Sequence, residues 1–186
     1  MIEKPLFTGE MISLDGHVCD EDDRVESTWT SNRDWLPYQS IFKREMTPQE
    51  IQQWHQTKAQ EMEPGDRLYL FWIREKNSRK LNGLLMIDKI AWNHGSAYLS
   101  LAVAFSPVRK NVIEETIHLA LIYAFLELNL FRVSMQAPGY DLELTNILQD
   151  MGFKREVVQR ECVSMNNQKQ DLYIYGLLKP DWQKGR

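Results

Sequence analysis

Residues 111–133 read NVIEETIHLALIYAFLELNLFRV. Apolar side chains cover most of the circumference of the helix predicted over 112–128, a pattern typical of a helix that is buried on more than one side. Residues 131–136 then alternate apolar and polar side chains, as a strand does. A long buried helix that leads directly into a strand predicts an α/β domain with helices packed on a sheet.

Further elements extend this unit in both directions along the chain. Apolar or alternating runs predict the strands, and Pro64-Gly65 and Gly152 end two of the helices. The predicted strands cover 11–14, 68–73, 81–91, 97–105, 131–136, 154–163 and 171–178, and the predicted helices begin near Asp20 and cover 47–63, 112–128 and 141–151. This order predicts an α/β (α+β) fold, with a mixed, mostly antiparallel central sheet of about seven strands and helices on both faces.

Two helix starts are predicted from their capping residues. Thr47 is an N-cap candidate with Glu50 three residues on, which is the sequence pattern of a capping box. Asn111 is predicted to cap the buried helix in the same way, with Glu114 at the capping-box position.

Length and composition predict one globular domain that spans residues 1–186. Hydrophobic residues make up 43% and charged residues 26% of the chain, which argues against a disordered or fibrous protein. The net charge of −4, with both signs mixed along the sequence, predicts no broad positive face for nucleic acid.

The N-terminal residues and the cysteines bear on location. Met1 to Pro5 lack a basic start followed by an apolar core, and no apolar run reaches the roughly 20 residues that span a bilayer, so we expect no membrane partner. Cys19 and Cys162 lie far apart, which favours buried or idle thiols in a reducing compartment. We therefore expect a cytoplasmic protein.

Several residue strings resemble the GNAT superfamily of N-acyltransferases, in the branch that includes the ribosomal-protein N-terminal acetyltransferases. The opening string is Phe7-Thr8-Gly9-Glu10-Met11-Ile12-Ser13-Leu14, and later landmarks follow in order at Tyr123-Ala124-Phe125, Leu128 to Val133, Met151 to Glu156, Arg160-Glu161 and Asp171-Leu172-Tyr173. The resemblance covers nearly the whole chain. It implies transfer of an acyl group, usually acetyl, from coenzyme A to an amine by direct attack, with acetyl-CoA as co-substrate and no further cofactor. A homodimer is a candidate assembly.

The resemblance implies a coenzyme site between the strands predicted at 97–105 and 131–136. Coenzyme A would lie in the opening between these strands, where backbone groups would pair with its pantetheine arm. The residues that would make this contact are Leu101, Ala102, Val103 and Ala104.

The stretch expected to hold the pyrophosphate departs from the family's motif. In the family a basic residue followed by alternating glycines opens the buried helix, because glycine lets backbone N–H groups approach the phosphates closely. Here residues 108–112 read VRKNV, so the motif is degenerate. One hypothesis is that the helix start and its basic side chains still bind the phosphates through Arg109, Lys110, Asn111, Val112 and Ile113. The alternative is that Arg109 and Lys110 are solvated and that Glu114 and Glu115 oppose a phosphate.

The proton-transfer residues of the family are also replaced. Its asparagine, small residue and tyrosine fall on Asp141, Leu144 and Leu148, and a leucine cannot protonate the leaving thiolate. A carboxylate that helps to deprotonate the amine in the family falls on Tyr98. Tyr140 and His94 are substitute candidates, although a packed loop tyrosine and an exposed turn histidine are the alternatives.

The other aromatic and histidine residues do not identify the acceptor amine. Trp35, Tyr38 and Tyr98 are candidates for binding the amine, and packing on the sheet is the alternative for the first two. His118 is expected in the core, and no histidine has partners at metal-ligand spacing.

Two functions follow from the same residues. The first is an acyl-CoA-dependent N-acyltransferase. The second is a catalytically silent binding or dimerisation protein with the same fold. An open cleft beside residues 108–113 favours the enzyme, whereas a cleft filled by Arg109, Leu144 and Leu148 favours the silent protein.

Overall fold

A computed structural model of the chain describes residues 7–16, 19, 21–31, 41–42, 44–61, 68–104, 106–165 and 167–185. The strands are β1 (Phe7–Thr8), β2 (Ile12–Asp15), β3 (Tyr69–Glu75), β4 (Leu81–Ala91), β5 (Ser96–Val103), β6 (Arg132–Pro138), β7 (Lys154–Met165) and β8 (Gln168–Leu178). The helices are α1 (Asp22–Thr30), α2 (Pro48–Glu61), α3 (Arg109–Ile122), α4 (Leu142–Asp150) and α5 (Lys179–Lys184).

The strands form one mixed sheet. Its 8 strands lie in the order β1-β2-β3-β4-β5-β6-β8-β7. Neighbouring strands are antiparallel except for β5 and β6, which are parallel and are joined by α3. The predicted fold class is therefore confirmed, with one strand more than expected because β1 has only two residues and shows no readable alternation.

Helices cover both faces of the sheet, as predicted. Along β3, successive side chains point to opposite faces and enter two separate cores. The first core lies under α3 and α4 and includes Phe71, Ile73, Leu99, Ile117, Phe125 and Leu148. The second core lies under α1 and α2 and includes Trp29, Ile51, Leu70, Trp72, Leu84 and Ala102.

The two predicted caps have different outcomes. Thr47 and Glu50 form the capping box, with Thr47 N donating to Glu50 Oε2 over 2.8 Å and Glu50 N donating to Thr47 Oγ1 over 3.3 Å. The cap at Asn111 is wrong, because α3 begins three residues earlier than predicted, with Val108 at the N-cap. Arg109 N donates to Ser106 O over 3.1 Å, so the preceding turn starts the helix.

Other local details also differ from expectation. The α-helical hydrogen bonding of α3 ends at Ile122 and continues as a π-helical turn over Tyr123–Glu127. Glu114 pairs with Lys110 at 3.6 Å instead of capping the helix. His118 is exposed on α3, so its predicted core position is wrong. Gly152 follows α4 with a φ of 88°, the left-handed conformation that favours glycine, as expected.

The exposure of the cysteines and the helix at the end of the described chain differ from the prediction. Cys19 and Cys162 are free thiols as predicted, but both are exposed, so the first of the two alternatives, burial, is wrong. The helix α5 was missed, although Pro180 lies in its first turn. Within the described residues, no helix is long and apolar enough to cross a membrane.

A buried polar cluster joins α1, α2 and β3. Glu26 is fully buried, and its Oε2 lies 2.9 Å from His55 Nε2. Trp72 donates its indole N–H to Glu26 Oε1 over 3.1 Å. Burial raises the pKa of the Glu26 carboxyl above its ordinary value, although the contacts with His55 and Trp72 oppose that shift.

Replacing Glu26 with glutamine is expected to change the pH dependence of stability. Because the native carboxyl has the raised pKa, the folded state holds its proton more tightly than the unfolded chain does. The contribution of Glu26 to the free energy of unfolding is therefore largest below the ordinary carboxyl pKa and falls as pH rises through the native value. The glutamine of Glu26→Gln cannot ionise. As pH rises through the native pKa of Glu26, this variant should therefore gain stability relative to wild type. Urea unfolding from about pH 4 to about pH 7 measures the difference.

Glu50→Gln is the matched control. The pKa of Glu50 is lowered, chiefly by the hydrogen bond from the Thr47 backbone N–H. Stability from this group is present above the ordinary carboxyl pKa and is lost as pH falls through the lowered native value. Glu50→Gln should therefore lose stability relative to wild type as pH rises. If the free energies of unfolding of the two variants change with pH in the same direction relative to wild type, the raised pKa assigned to Glu26 is contradicted.

Candidate functional site

The strands β5 and β6 separate partway along the sheet. Their parallel ladder runs from Ser96 opposite Arg132 to Leu99 opposite Met135. Beyond that pair β5 continues to Val103 beside β4, and β6 continues to Pro138 beside β8. Each strand thus follows its outer neighbour, and a V-shaped opening forms between them with its apex at Leu99 and Met135.

A glycine on β4 allows the close approach that holds β5 on its side of the opening. A Cβ on Gly83 would lie 2.4 Å from the backbone oxygen of Ala102 and 3.0 Å from Val103 Cα. Real side chains do not tolerate the shorter of these distances, so any other residue would push β5 away from β4. Gly83 therefore helps to set the position of β5 beside the opening.

The residues predicted to contact pantetheine lie along this separated part of β5. Leu101 and Val103 direct their side chains into the first core, and Ala102 packs in the second core. Ala104 follows the strand, and its N–H donates to Asn82 O over 2.8 Å. The side chains are used for packing, so a ligand in the opening would meet the backbone.

The starts of α3 and α4 meet at the open end of the V. Arg109, the first residue of α3, forms ion pairs with Glu143 and, at 3.4 Å, with Asp141 Oδ2. Asp141 is the N-cap of α4, and its Oδ1 accepts a hydrogen bond from Leu144 N over 3.0 Å. The Arg109 side chain is only 11% exposed, so it is not the solvated loop residue of the alternative hypothesis.

The amides at the start of α3 are not those of the residues predicted to offer them. Val112 and Ile113 are buried in the first core, and Val112 N donates to Val108 O over 3.1 Å. They are therefore inside the helix, and the prediction that they offer free amides is wrong. Because α3 starts at Arg109, the amides of Lys110 and Asn111 are the ones in its first turn.

The acidic residues next to this helix start do not all face it. Glu115 Oε2 accepts hydrogen bonds from the backbone N–H groups of Met11 and Ile12 over 3.1 and 3.2 Å. Glu114 is paired with Lys110, whose side chain is 56% exposed. Glu115 therefore stabilises the turn between β1 and β2, and the acid that contacts Arg109 most closely is Glu143.

Comparison with known proteins identifies the architecture. No family model matches the chain. Among solved structures, it is similar to the spermidine N-acetyltransferase from Vibrio cholerae in complex with CoA and spermine, with a TM-score of 0.80, 19% identity, and coverage of 94% of this chain and 99% of that one. A probable acetyltransferase of known structure gives a TM-score of 0.77 at 20% identity over 94% and 96% of the two chains. The chain has the GNAT fold.

A curated relative agrees with this fold. The chain is 26% identical over 126 residues to the probable N-acetyltransferase YjcK of Bacillus subtilis (strain 168), which covers 67% of this chain and 70% of the relative. The solved structures are less than 25% identical to this chain, so what they show for it is the fold.

The α4 residues that align with the small residue and the tyrosine of the family motif lie in the core. Leu148 is fully buried and Leu144 is 8% exposed, and both pack in the first core. Tyr140 precedes the N-cap residue Asp141 and is half-buried at the open end. Of the two substitute candidates, Tyr140 is therefore the one that lies with Arg109 and Asp141.

His94 and Tyr98 lie on the other side of the apex from the opening. His94 is exposed in the turn before β5 begins, at the end of the strand away from the opening. Tyr98 pairs with Ser134 inside the ladder, and Lys89 Nζ lies 4.8 Å from the centroid of its ring. The structure does not bring either residue to the open end. The acceptor candidates Trp35 and Tyr38 lie outside the described residues.

Two polar residues at the apex were missed in the sequence. Ser100 and Gln136 each follow the last residue of the β5–β6 ladder. Because Leu99, Leu101, Met135 and Ala137 point into the first core, alternation directs Ser100 and Gln136 to the opposite face, which α1 and α2 cover. Both are half-exposed. The strand pattern alone would have given their face, but the end of the ladder is a tertiary feature.

The described residues give no metal-binding cluster. Within these ranges, no group of three or more His, Cys, Asp or Glu side chains is arranged to hold a metal ion.

Proposed function

We propose that the chain is an acetyl-CoA (acyl-CoA)-dependent N-acyltransferase that acts on a primary amine of a small molecule or of a protein N-terminus. The observation that carries this proposal is the opening between β5 and β6, bordered by the backbone of Leu101 to Ala104. The N-acetyltransferases to which the chain is similar support it, and one of them is a structure in complex with CoA.

In the proposed reaction the coenzyme lies in the opening and the amine approaches from the face that α1 and α2 cover. The amine nitrogen attacks the thioester carbonyl carbon, the C–N bond forms, and the C–S bond breaks. The amine gives up a proton and the leaving thiolate takes one up, so no covalent enzyme intermediate is needed. Ser100 and Gln136 border the attack site in this arrangement, and Tyr140 stays the candidate proton donor at the open end.

The proposal assigns the remaining roles by the same geometry. Arg109, Lys110, Asn111 and Asp141 border the phosphates, and Trp35, Tyr38 and Tyr98 stay predictions for the acceptor. The two free, exposed cysteines support a reducing, cytoplasmic setting. The homodimer stays a prediction.

Coenzyme binding is the direct test. Calorimetric titration with coenzyme A and acetyl-CoA should give a measurable heat, and saturating ligand should raise the unfolding temperature, because a ligand that binds only the folded state stabilises it. Release of free thiol from acetyl-CoA with a panel of amines then identifies the acceptor. Spermidine belongs in the panel because one of the similar structures is that of a spermidine N-acetyltransferase. No heat and no stabilisation at millimolar ligand would refute the proposal.

A silent GNAT-fold protein is the second candidate. The observation that favours it is that Leu144 and Leu148 are packed in the first core while Arg109 is bound to Asp141 and Glu143 across the open end. This candidate predicts that coenzyme A either fails to bind or binds without any thiol release from acetyl-CoA. Detectable acyl transfer to any amine excludes it.

A further inference from the structure

The ion pairs of Arg109 connect the two sides of the strand opening. The helix α3 follows β5, and α4 follows β6, so their first residues stand on opposite sides of the open end. Arg109 opens α3, while Asp141 and Glu143 lie at the start of α4. A contact between these residues therefore crosses the end through which a ligand in the opening would extend.

The two acids that hold Arg109 differ in how firmly they are held themselves. Asp141 is 4% exposed and is fixed by the hydrogen bond from Leu144 N. Glu143 is 41% exposed, and its contact with Arg109 is the shorter of the two. Glu143 can swing into solvent without uncapping α4, whereas Asp141 cannot. Glu143 is thus the detachable partner.

We propose that Arg109 and Glu143 form a latch that closes the opening and that a pyrophosphate group releases by taking the guanidinium from Glu143. This inference rests on the proposed function, because the pyrophosphate is that of the coenzyme. A guanidinium binds phosphate oxygens with the same fork of N–H groups that it offers to a carboxylate, so one partner can replace the other. The first-turn amides of Lys110 and Asn111 lie beside it and favour an anion.

The latch explains how the start of α3, which has no glycines, can bind the pyrophosphate. The lost close approach of the backbone is replaced by a side chain that is already held at the open end. Glu143 competes with the ligand, because the pyrophosphate must displace Glu143 before it binds the guanidinium of Arg109. Coenzyme affinity is therefore set by Glu143 as well as by Arg109.

Three variants test the latch by calorimetric titration with coenzyme A. Glu143→Gln weakens the hold on Arg109 and should tighten coenzyme binding by about threefold to tenfold. Arg109→Ala removes the phosphate partner and should weaken binding by about tenfold or more. In the double variant, the gain from Glu143→Gln should disappear, since there is no guanidinium left to release.

The controls separate the latch from general charge effects. Asp150→Asn removes an exposed carboxylate at the far end of α4 and should leave the affinity unchanged. Pantetheine has no pyrophosphate to take the guanidinium, so Glu143→Gln should tighten its binding less than it tightens the binding of coenzyme A. Circular dichroism confirms that each variant is folded, and Glu143→Gln keeps the test valid if Arg109→Ala does not fold.

The outcomes distinguish the latch from the proposed function. Tighter binding by Arg109→Ala, or a gain from Glu143→Gln that persists without Arg109, overturns the latch while leaving an acyltransferase intact. Coenzyme binding by Glu143→Gln but not by wild type also overturns the latch as proposed, because the pyrophosphate then fails to take the guanidinium from Glu143. If neither protein binds coenzyme A, the latch and the proposed function both fail.

Discussion

Replacing Arg74 with methionine is expected to lower the free energy of unfolding by about 3–5 kcal/mol. Arg74 is 3% exposed on β3, and its Nη1 donates to Asp22 Oδ1 over 3.1 Å. Its Nε lies 2.9 Å from Asp15 Oδ2, and both acids are almost fully buried. Methionine fills much of the same space but leaves Asp22 buried without its guanidinium partner, while Asp15 keeps its ion pair with Arg79. Urea unfolding at neutral pH measures the loss.

Arg24→Met is the control for the loss of a positive charge. Arg24 lies on α1 near Asp22, but its side chain is exposed, so its replacement should change stability by less than about 0.5 kcal/mol. The double variant Arg74→Met with Asp22→Asn should lose less than the two single variants added together, because they share one buried pair. Equal losses for Arg74→Met and Arg24→Met would contradict the role assigned to the buried network.

Replacing Ser100 with tryptophan is expected to reduce acyl transfer by about 100-fold or more, because small displacements of reacting groups have effects of that size. Ser100 stands at the apex of the strand opening on the face from which the amine approaches in the proposed reaction. An indole there occupies the space where the amine and the thioester would meet. The rate of thiol release from acetyl-CoA measures the effect, and calorimetry with coenzyme A measures binding separately.

Ser164→Trp is the matched control for the added bulk. Ser164 is exposed near the end of β7, an edge strand, and should accept the same side chain with little change in activity. The loss of turnover in Ser100→Trp should exceed any loss of coenzyme affinity, because the coenzyme contacts are proposed for the backbone beyond the apex. Turnover within about fivefold of wild type would place the reaction away from this apex.

Much of the fold could be predicted because its signals are local. The alternation over 81–91 and the apolar circumference of 112–128 each report the period of one element. The capping box of Thr47 and Glu50 needs residues only three positions apart, and it forms as predicted. The strand β1 is too short to show a pattern in the sequence. The start of α3 depends on the turn before it, and that turn has no comparable sequence signal.

The candidate site was predicted less completely because its contacts join distant parts of the chain. Arg109 was predicted as a candidate coenzyme residue, but its partner Glu143 lies 34 positions away and meets it only after β5 and β6 pair. His118 was expected in the core because most of its helix is apolar. Its exposure depends on which side of α3 faces the sheet, and the composition of the helix did not reveal that side.

The sequence by itself determined the order of the elements, their approximate bounds and the class of sheet, because periodicity and capping act over a few neighbouring residues. Tertiary structure alone decided where the β5–β6 ladder ends, which polar residues stand at the apex and which acids hold Arg109. The physical reason is that these features depend on how two parallel strands are drawn apart by their outer neighbours. The stretch 111–133 predicts the helix between those strands, but the space beside it exists only once the whole sheet has formed.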